Sequence, residues 1–370
     1  MPCQPLTQHI SDAFMLRPPR SLVVLLLALF LGGCSSPETP EERAEVIASI
    51  VNQSRGESDV PGASVAVVRG DTVVHQSDYG VADRAAERPV SDSTIFQLAS
   101  ATKILAGVGV MMLQEEGRLA LSDSIHAHLP GLPAAWRGVT IRQAMSHTSG
   151  LPSLVNPQTG DLIGGSTMED AWQAAKQKPL QDTTARTWRY NQTGYEVVRR
   201  IIERRSGQTW EAFAEERIFE RAGMRSTFFL GEPAPDSSRV ATPYREGYQA
   251  FDFNDAYEYY IPTAAGLFST TGDLARFART LGSNDLLGEE ARETMWTSAP
   301  FEESTIDAVQ GYGIGWTVDE QDGHRRVWHS GGGKAVLMHY PDDKLTVILL
   351  TNRAGFDVLT PAMEIAELYL

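Results

Sequence analysis

The chain has 370 residues, 42% of them hydrophobic and 21% charged, with 47 acidic residues against 32 basic and a formal charge of −15. Those proportions exclude a disordered tail, a collagen-like repeat and a small disulfide scaffold, and with no basic run they argue against nucleic acid as a partner. The length supplies one large domain or two ordinary ones, and only five residues are lysine, so each lysine position carries weight.

At the N-terminus, Ser21 to Leu31 is an apolar run preceded by Arg17 and Arg20. It is too short to span a membrane as an ordinary helix and has the charge pattern of a secretory signal. It ends in Leu31-Gly32-Gly33-Cys34, which resembles the bacterial lipobox, where the cysteine is lipidated after cleavage before it. Residues 1–33 are therefore expected to be a lipoprotein signal peptide, with Met15 as an alternative start. Cys34 is the expected lipidation site, and residues 34–40 a polar tether. That reading places the protein on a bacterial envelope membrane, the periplasmic face of the outer membrane being favoured because Ser35 follows the cysteine.

Glu41 to Ser54 carries Ala44, Val46, Ile47, Ile50 and Val51 at helical spacing. Ala63–Arg69 and Thr72–Tyr79 read as a hairpin around Gly70-Asp71. Next comes Ser100-Ala101-Thr102-Lys103, opening a helix over Ala101–Glu116 with Ile104, Leu105, Val108, Met111 and Met112 as its apolar stripe. The spacing puts Ser100 and Lys103 on one helical face. A serine hydroxyl is a weak nucleophile that needs a neighbouring base, and a desolvated lysine can serve. It is the only Ser-x-x-Lys in the chain, where about 0.4 would arise by chance.

From Leu119 to Tyr260 helical patterns dominate: Glu169–Lys178, Tyr195–Ser206 and Trp210–Ala222. His126 and His128 are close together, yet no carboxylate or cysteine set accompanies them, so no metal and no cofactor is expected. Seven aromatic residues between Tyr244 and Tyr260 read as packing or as an apolar substrate wall. Another helix is expected at Thr271–Leu281. Strands follow at Gly315–Val318 and Arg325–His329 around Asp322-Gly323, and at Ala335–Tyr340 and Leu345–Thr351 around Pro341–Lys344, before a closing helix near Thr360–Leu370. The segment Gly331–Ala335 lacks the residues of a phosphate loop, and Gly-x-Ser-x-Gly is absent. Strands at both ends with helices between them predict an α+β fold. Its antiparallel sheet would be built from both chain ends and flanked by helices (41–116 and 262–370), with a mainly helical subdomain (117–261) inserted.

The ordered series Ser100–Lys103, Ile141–Leu151 with His147-Thr148-Ser149-Gly150-Leu151, Trp188–Tyr195, Ile218–Thr227, Ala264–Phe277, Gly311–Trp316 and His329–Gly333 resembles the penicillin-recognising serine hydrolases. Within that group it is similar to class C β-lactamases, D-Ala-D-Ala carboxypeptidases and family VIII esterases, over residues 45–370. The resemblance implies the β-lactamase/transpeptidase-like fold and an acyl-enzyme on Ser100. By resemblance Tyr190 would act with Lys103 as general base, its phenolate form favoured by nearby cations. Gln192 stands where the family has asparagine in Tyr-x-Asn, and His329-Ser330-Gly331 where it has Lys-Thr-Gly. The amides of Ser100 and Gly332 would form the oxyanion hole. His147 reads as structural, and Asn352-Arg353 as a carboxylate contact, with Arg353 as an ordinary surface arginine the equal alternative. The expectation is an esterase acting on small-molecule carboxylic esters, with D-amino-acid peptides next and β-lactams third. A non-catalytic receptor for cell-wall ligands or β-lactams is the alternative from another class.

Overall fold

The computed structural model describes residues 39–156, 161–234, 236–250, 261–306 and 309–370; Cys34 and the aromatic residues between 251 and 260 lie outside them. Helix α1 (Pro40–Glu57) starts from a capping box in which the Thr39 hydroxyl accepts the Glu42 amide and the Glu42 carboxylate accepts the Thr39 amide. Such a cap is worth about 1 kcal/mol. Of the apolar positions read as the stripe of this helix, Ile47 and Val51 are buried, whereas Val46 faces solvent.

Strands β1 (Gly62–Arg69), β2 (Thr72–Asp83) and β3 (Arg88–Pro89) form one side of a seven-stranded antiparallel sheet. Short pieces follow along the chain: β4 (Phe96–Gln97), β5 (Thr187–Trp188), β6 (Phe228–Phe229), β7 (Tyr244–Arg245), β8 (Gln249–Ala250), β9 (Leu267–Ser269) and β10 (Glu303–Ser304). The other side of the large sheet is β11 (Thr317–Gln321), β12 (His324–Gly331), β13 (Ala335–Tyr340) and β14 (Leu345–Thr351), in the order β11-β12-β13-β14-β1-β2-β3. Strand β1 pairs with β14, Ser64 opposite Leu350, so the two ends of the chain meet inside the sheet as expected. At Asp322-Gly323 both residues have positive φ (50° and 88°), the geometry of a two-residue hairpin turn that matches strand twist. Strand β11 begins only at Thr317, because Gly315 (φ 87°) turns the chain just before it.

Both faces of the sheet are covered, which is why its central strands read as continuous apolar runs. Val65 and Val67 pack with Val347, Leu349, α1 and the last helix (Leu359–Glu367), while Ala66 and Val68 pack on the opposite side with Ile348, Leu350 and the helical core. On that second side, helix α2 (Lys103–Glu115) is buried from Lys103 through Leu113 rather than along one stripe. It is surrounded on all sides by the sheet, by α5 (Thr193–Ser206) and by Trp210 and Phe213. Helices α3 (Ile141–Met145), α4 (Met168–Lys176) and α5 come from the middle of the chain, α4 and α5 lying within two residues of the helices expected at Glu169–Lys178 and Tyr195–Ser206. The helix expected over Trp210–Ala222 is α-helical to Ala214, π-helical over Glu215–Phe219 and α-helical again over Glu220–Ala222.

Candidate active site

The segment expected to open the long helix does so as a 3₁₀ turn that runs directly into α2. Residues Ala99–Thr102 form a 3₁₀ turn, entered with Ala99 at φ 45° and closed by the Thr102 hydroxyl donating to the Ala99 carbonyl at 2.6 Å. Residues three apart eclipse in a 3₁₀ turn, so Ser100 and Lys103 line up directly along it. Ser100 is half-buried and Lys103 is fully buried.

Lys103 Nζ donates to the carbonyl of Ala264 at 2.9 Å and lies 4.9 Å from the ring centroids of both Tyr190 and Tyr195. Burial holds this amine well below the ordinary lysine range. A depressed pKa makes the neutral amine easier to reach, and in that form it can accept a proton from a hydroxyl beside it.

Tyr190 follows β5, and its hydroxyl is buried and faced by the side chains of Ser100 and Gln192. Burial pushes the phenol far above its ordinary value, and the two hydrogen-bonding neighbours only partly offset this. The expected phenolate is therefore corrected: Tyr190 is a neutral phenol, suited to donate or relay a proton. Desolvation is the largest influence on this phenol and outweighs both hydrogen bonds.

Gln192 caps the N-terminus of α5 with its backbone, and its buried Oε1 meets no partner among the described residues. The preceding Asn191 cannot replace it. Its Nδ2 donates to Leu151 O (2.7 Å) and its Oδ1 accepts the Thr193 amide (2.6 Å), so its amide is consumed in holding the loop.

Strand β12 brings up the opposite wall. A Cβ on Gly331 would sit 1.8 Å from the Leu98 carbonyl oxygen, so only glycine lets the strand end lie against the Ser100 turn. Gly332 is exposed beside Ala99, and its N–H meets no acceptor among the described residues. Ser330 is half-buried on the same strand. His329 is buried inside, with its ring centroid 6.4 Å from that of Tyr190. Its Nδ1 donates to the Ser330 carbonyl at 2.7 Å, and burial, reinforced by Lys103, pushes its pKa down to about 3. This imidazole stays neutral at any working pH and supplies no positive charge.

The structure thus gathers Ser100, Lys103, Tyr190 and Gln192 around one point, with Gly331 and Gly332 at its edge and His329 behind it. Residues that lie in the recognised segments but were given no site role complete the surround: the Ala264 carbonyl and the rings of Tyr195 and Tyr312, whose hydroxyls are 3.4 Å apart. Other expectations resolve differently. Asn352 is a staple inside the fold, accepting the Gly62 amide and donating to the Val81 and Ala82 carbonyls. His128 is held between Asp123 (2.9 Å) and the Arg205 guanidinium, and His126 reaches the Pro133 carbonyl. Tyr244 is buried, with its hydroxyl accepting the Arg84 amide, and Tyr248 lies under the Arg84 guanidinium. A cavity of about 720 Å³ is lined by Phe96, Gln97, Phe228, Phe268 and Lys334, among others, and Ser100 is not part of its lining.

A profile of the family described as Beta-lactamase matches residues 47–370. Penicillin-binding protein 4 of Amycolatopsis lactamdurans is 30% identical over 322 residues, covering 80% of this chain and 82% of its own. The octameric penicillin-binding protein homologue from Pyrococcus abyssi superposes with a TM-score of 0.76 at 25% identity, over 88% of this chain and 77% of that one. EstCE1, a hydrolase with promiscuous acyltransferase activity, shares the fold at a TM-score of 0.75 and 20% identity, over 90% of this chain and 99% of its own.

Proposed function

The chain belongs to the Beta-lactamase family, and from that premise we propose that it is a serine hydrolase cleaving carboxylic esters through an acyl-enzyme on Ser100. The observation that carries this reading is the convergence of the Ser100 hydroxyl, the Tyr190 hydroxyl and the Gln192 amide beside a buried Lys103 whose amine burial holds well below the ordinary lysine range. The Lys103 amine takes the Ser100 proton as Oγ attacks the ester carbonyl. The N–H groups of Ser100 and Gly332 receive the developing oxyanion, a contribution of about 3 kcal/mol per donor in comparable sites. Tyr190 gives its proton to the departing alkoxide and regains one from the Lys103 ammonium, so the amine ends the step neutral. Water then attacks the acyl-enzyme through the same relay, releasing the acid and restoring Ser100.

The ester preference rests on His329. A substrate carboxylate at this strand edge gains from a fixed cation, and here the position holds a buried neutral ring. D-amino-acid peptides and β-lactams, which carry that carboxylate, rank after esters. A location on the bacterial envelope, through a lipid on Cys34 and most favourably on the periplasmic face of the outer membrane, completes the proposal; it rests on Leu31–Cys34.

The test is a short-chain aryl ester together with a fluorophosphonate probe. The parent enzyme turns over the ester and is labelled on Ser100, and Ser100→Ala loses both, with turnover reduced by at least about 10⁴-fold. Absence of a Ser100 adduct would instead favour a binding protein that keeps the fold. Rapid cephalosporin hydrolysis without esterase activity would reverse the substrate order.

A further inference from the structure

His147 was expected to be a structural landmark, yet it touches the reacting group's own segment at three places. It follows α3 and has φ 63°, a left-handed conformation that histidine adopts more readily than most residues but less readily than glycine. From there its backbone carbonyl accepts the Arg189 amide at 2.9 Å, and its Nδ1 accepts the Asn191 amide at 3.1 Å. Those two amides flank Tyr190. The imidazole ring also packs on the phenol itself, with centroids 4.5 Å apart, and is backed by Tyr312 at 4.7 Å and Tyr195 at 5.4 Å.

We propose that His147 is the positioning residue for Tyr190: it grips the backbone on both sides of the tyrosine and braces the ring, fixing the hydroxyl against Ser100. The inference rests on the reading of Tyr190 as the proton donor to the leaving group. It is also the economical account of two unfavourable features. With Nδ1 accepting, the proton sits on Nε2, which is buried and meets no partner among the described residues. An unpaired buried donor and a left-handed non-glycine residue both cost free energy, and together they persist where geometry at a functional site demands them. Nothing in the turn itself requires an imidazole. Gly150, three residues on, has φ 63° as well and is a glycine.

The experiment separates acceptor from backbone conformation. His147→Asn places an amide oxygen at the position of Nδ1 and tolerates the left-handed region; His147→Gly tolerates it without any acceptor. Assayed on a short-chain aryl ester below the melting temperature of every variant, His147→Asn should keep kcat within about threefold. His147→Gly should lose about 30-fold in kcat with KM little changed, because orientation in the transition state is lost while substrate binding is not. His147→Gln, whose acceptor lies one methylene too far, should lose a similar factor and carries the test if the glycine variant does not fold. In a Tyr190→Phe background, His147→Gly should cost nothing further. Full activity of His147→Gly, an equal loss in His147→Asn, or the same additional loss on Tyr190→Phe would each overturn the assignment. An active Tyr190→Phe would instead remove the proton-donor reading on which it rests.

Discussion

On α5 the Glu196 carboxylate is fully buried and pairs with two guanidinium groups, accepting from Arg199 at 2.7 and 2.8 Å and from Arg200 at 2.7 Å. Burial works against the Arg199 charge, but Glu196 and Glu203 outweigh it and hold the guanidinium above its ordinary range. On α2, packed alongside, Lys103 is as deeply buried and meets a carbonyl and two tyrosine rings, with no carboxylate beside it among the described residues. One region spends its buried charges on each other and becomes architecture. The other leaves a single amine uncompensated, and burial lowers its pKa and so favours the neutral form that can act as a base. What separates a structural knot from a reactive centre here is the missing counter-charge.

Replacing each centre should expose the contrast. Lys103→Met should lower aryl-ester turnover by about 10³-fold or more, while the folded protein melts no lower than the parent, since a desolvated amine gives way to an apolar chain of similar length. A melting temperature that collapses with the activity would make Lys103 part of the architecture after all. Glu196→Ala should do the reverse. Leaving two partly solvated guanidinium groups without their carboxylate should cost about 3 kcal/mol in urea unfolding, with kcat/KM per folded molecule within about twofold. An activity loss as deep as that of Lys103→Met would erase the distinction. The smallest effect concerns pH. The amine works unprotonated, so kcat/KM should fall about tenfold per pH unit below the Lys103 pKa and level off above it. With His329 pushed down to about 3, His329→Asn should leave that acid limb where it is; a limb that moves or disappears would assign the titration to His329.

The architecture was largely legible in the chain. Ala335–Tyr340, Leu345–Thr351 and Thr271–Leu281 emerge with the boundaries their patterns predict, because turn chemistry and apolar runs fix them locally. Ser100 and Lys103 were legible for the same reason: their relation is a spacing. The protonation of Tyr190 was not, because it depends on which distant elements exclude water from the phenol. Nor was the Ala264 carbonyl, since a backbone acceptor carries no side-chain signal and reaches Lys103 only once α2 is enclosed. His147 has φ 63° with no glycine to announce it, and its grip on the Tyr190 segment exists only after α3 and β5 have come together.

The pairing of β1 with β14 also has a kinetic consequence. Ser64 and Leu350 are neighbours in the sheet, and the Arg43 guanidinium lies 5.3 Å from the ring of Tyr369, so the described ends of the chain touch. The centre of the sheet is therefore its least local contact, and loop closure across nearly the whole polypeptide must precede it. A partly synthesised chain exposes β1 as an unpaired edge until the last strand arrives, and that is the interval in which it is most open to aggregation. Joining the two touching ends and opening the chain at an exposed loop would turn this pairing into a hairpin-like contact, leaving the Ser100 turn unchanged while removing the slowest closure from its assembly.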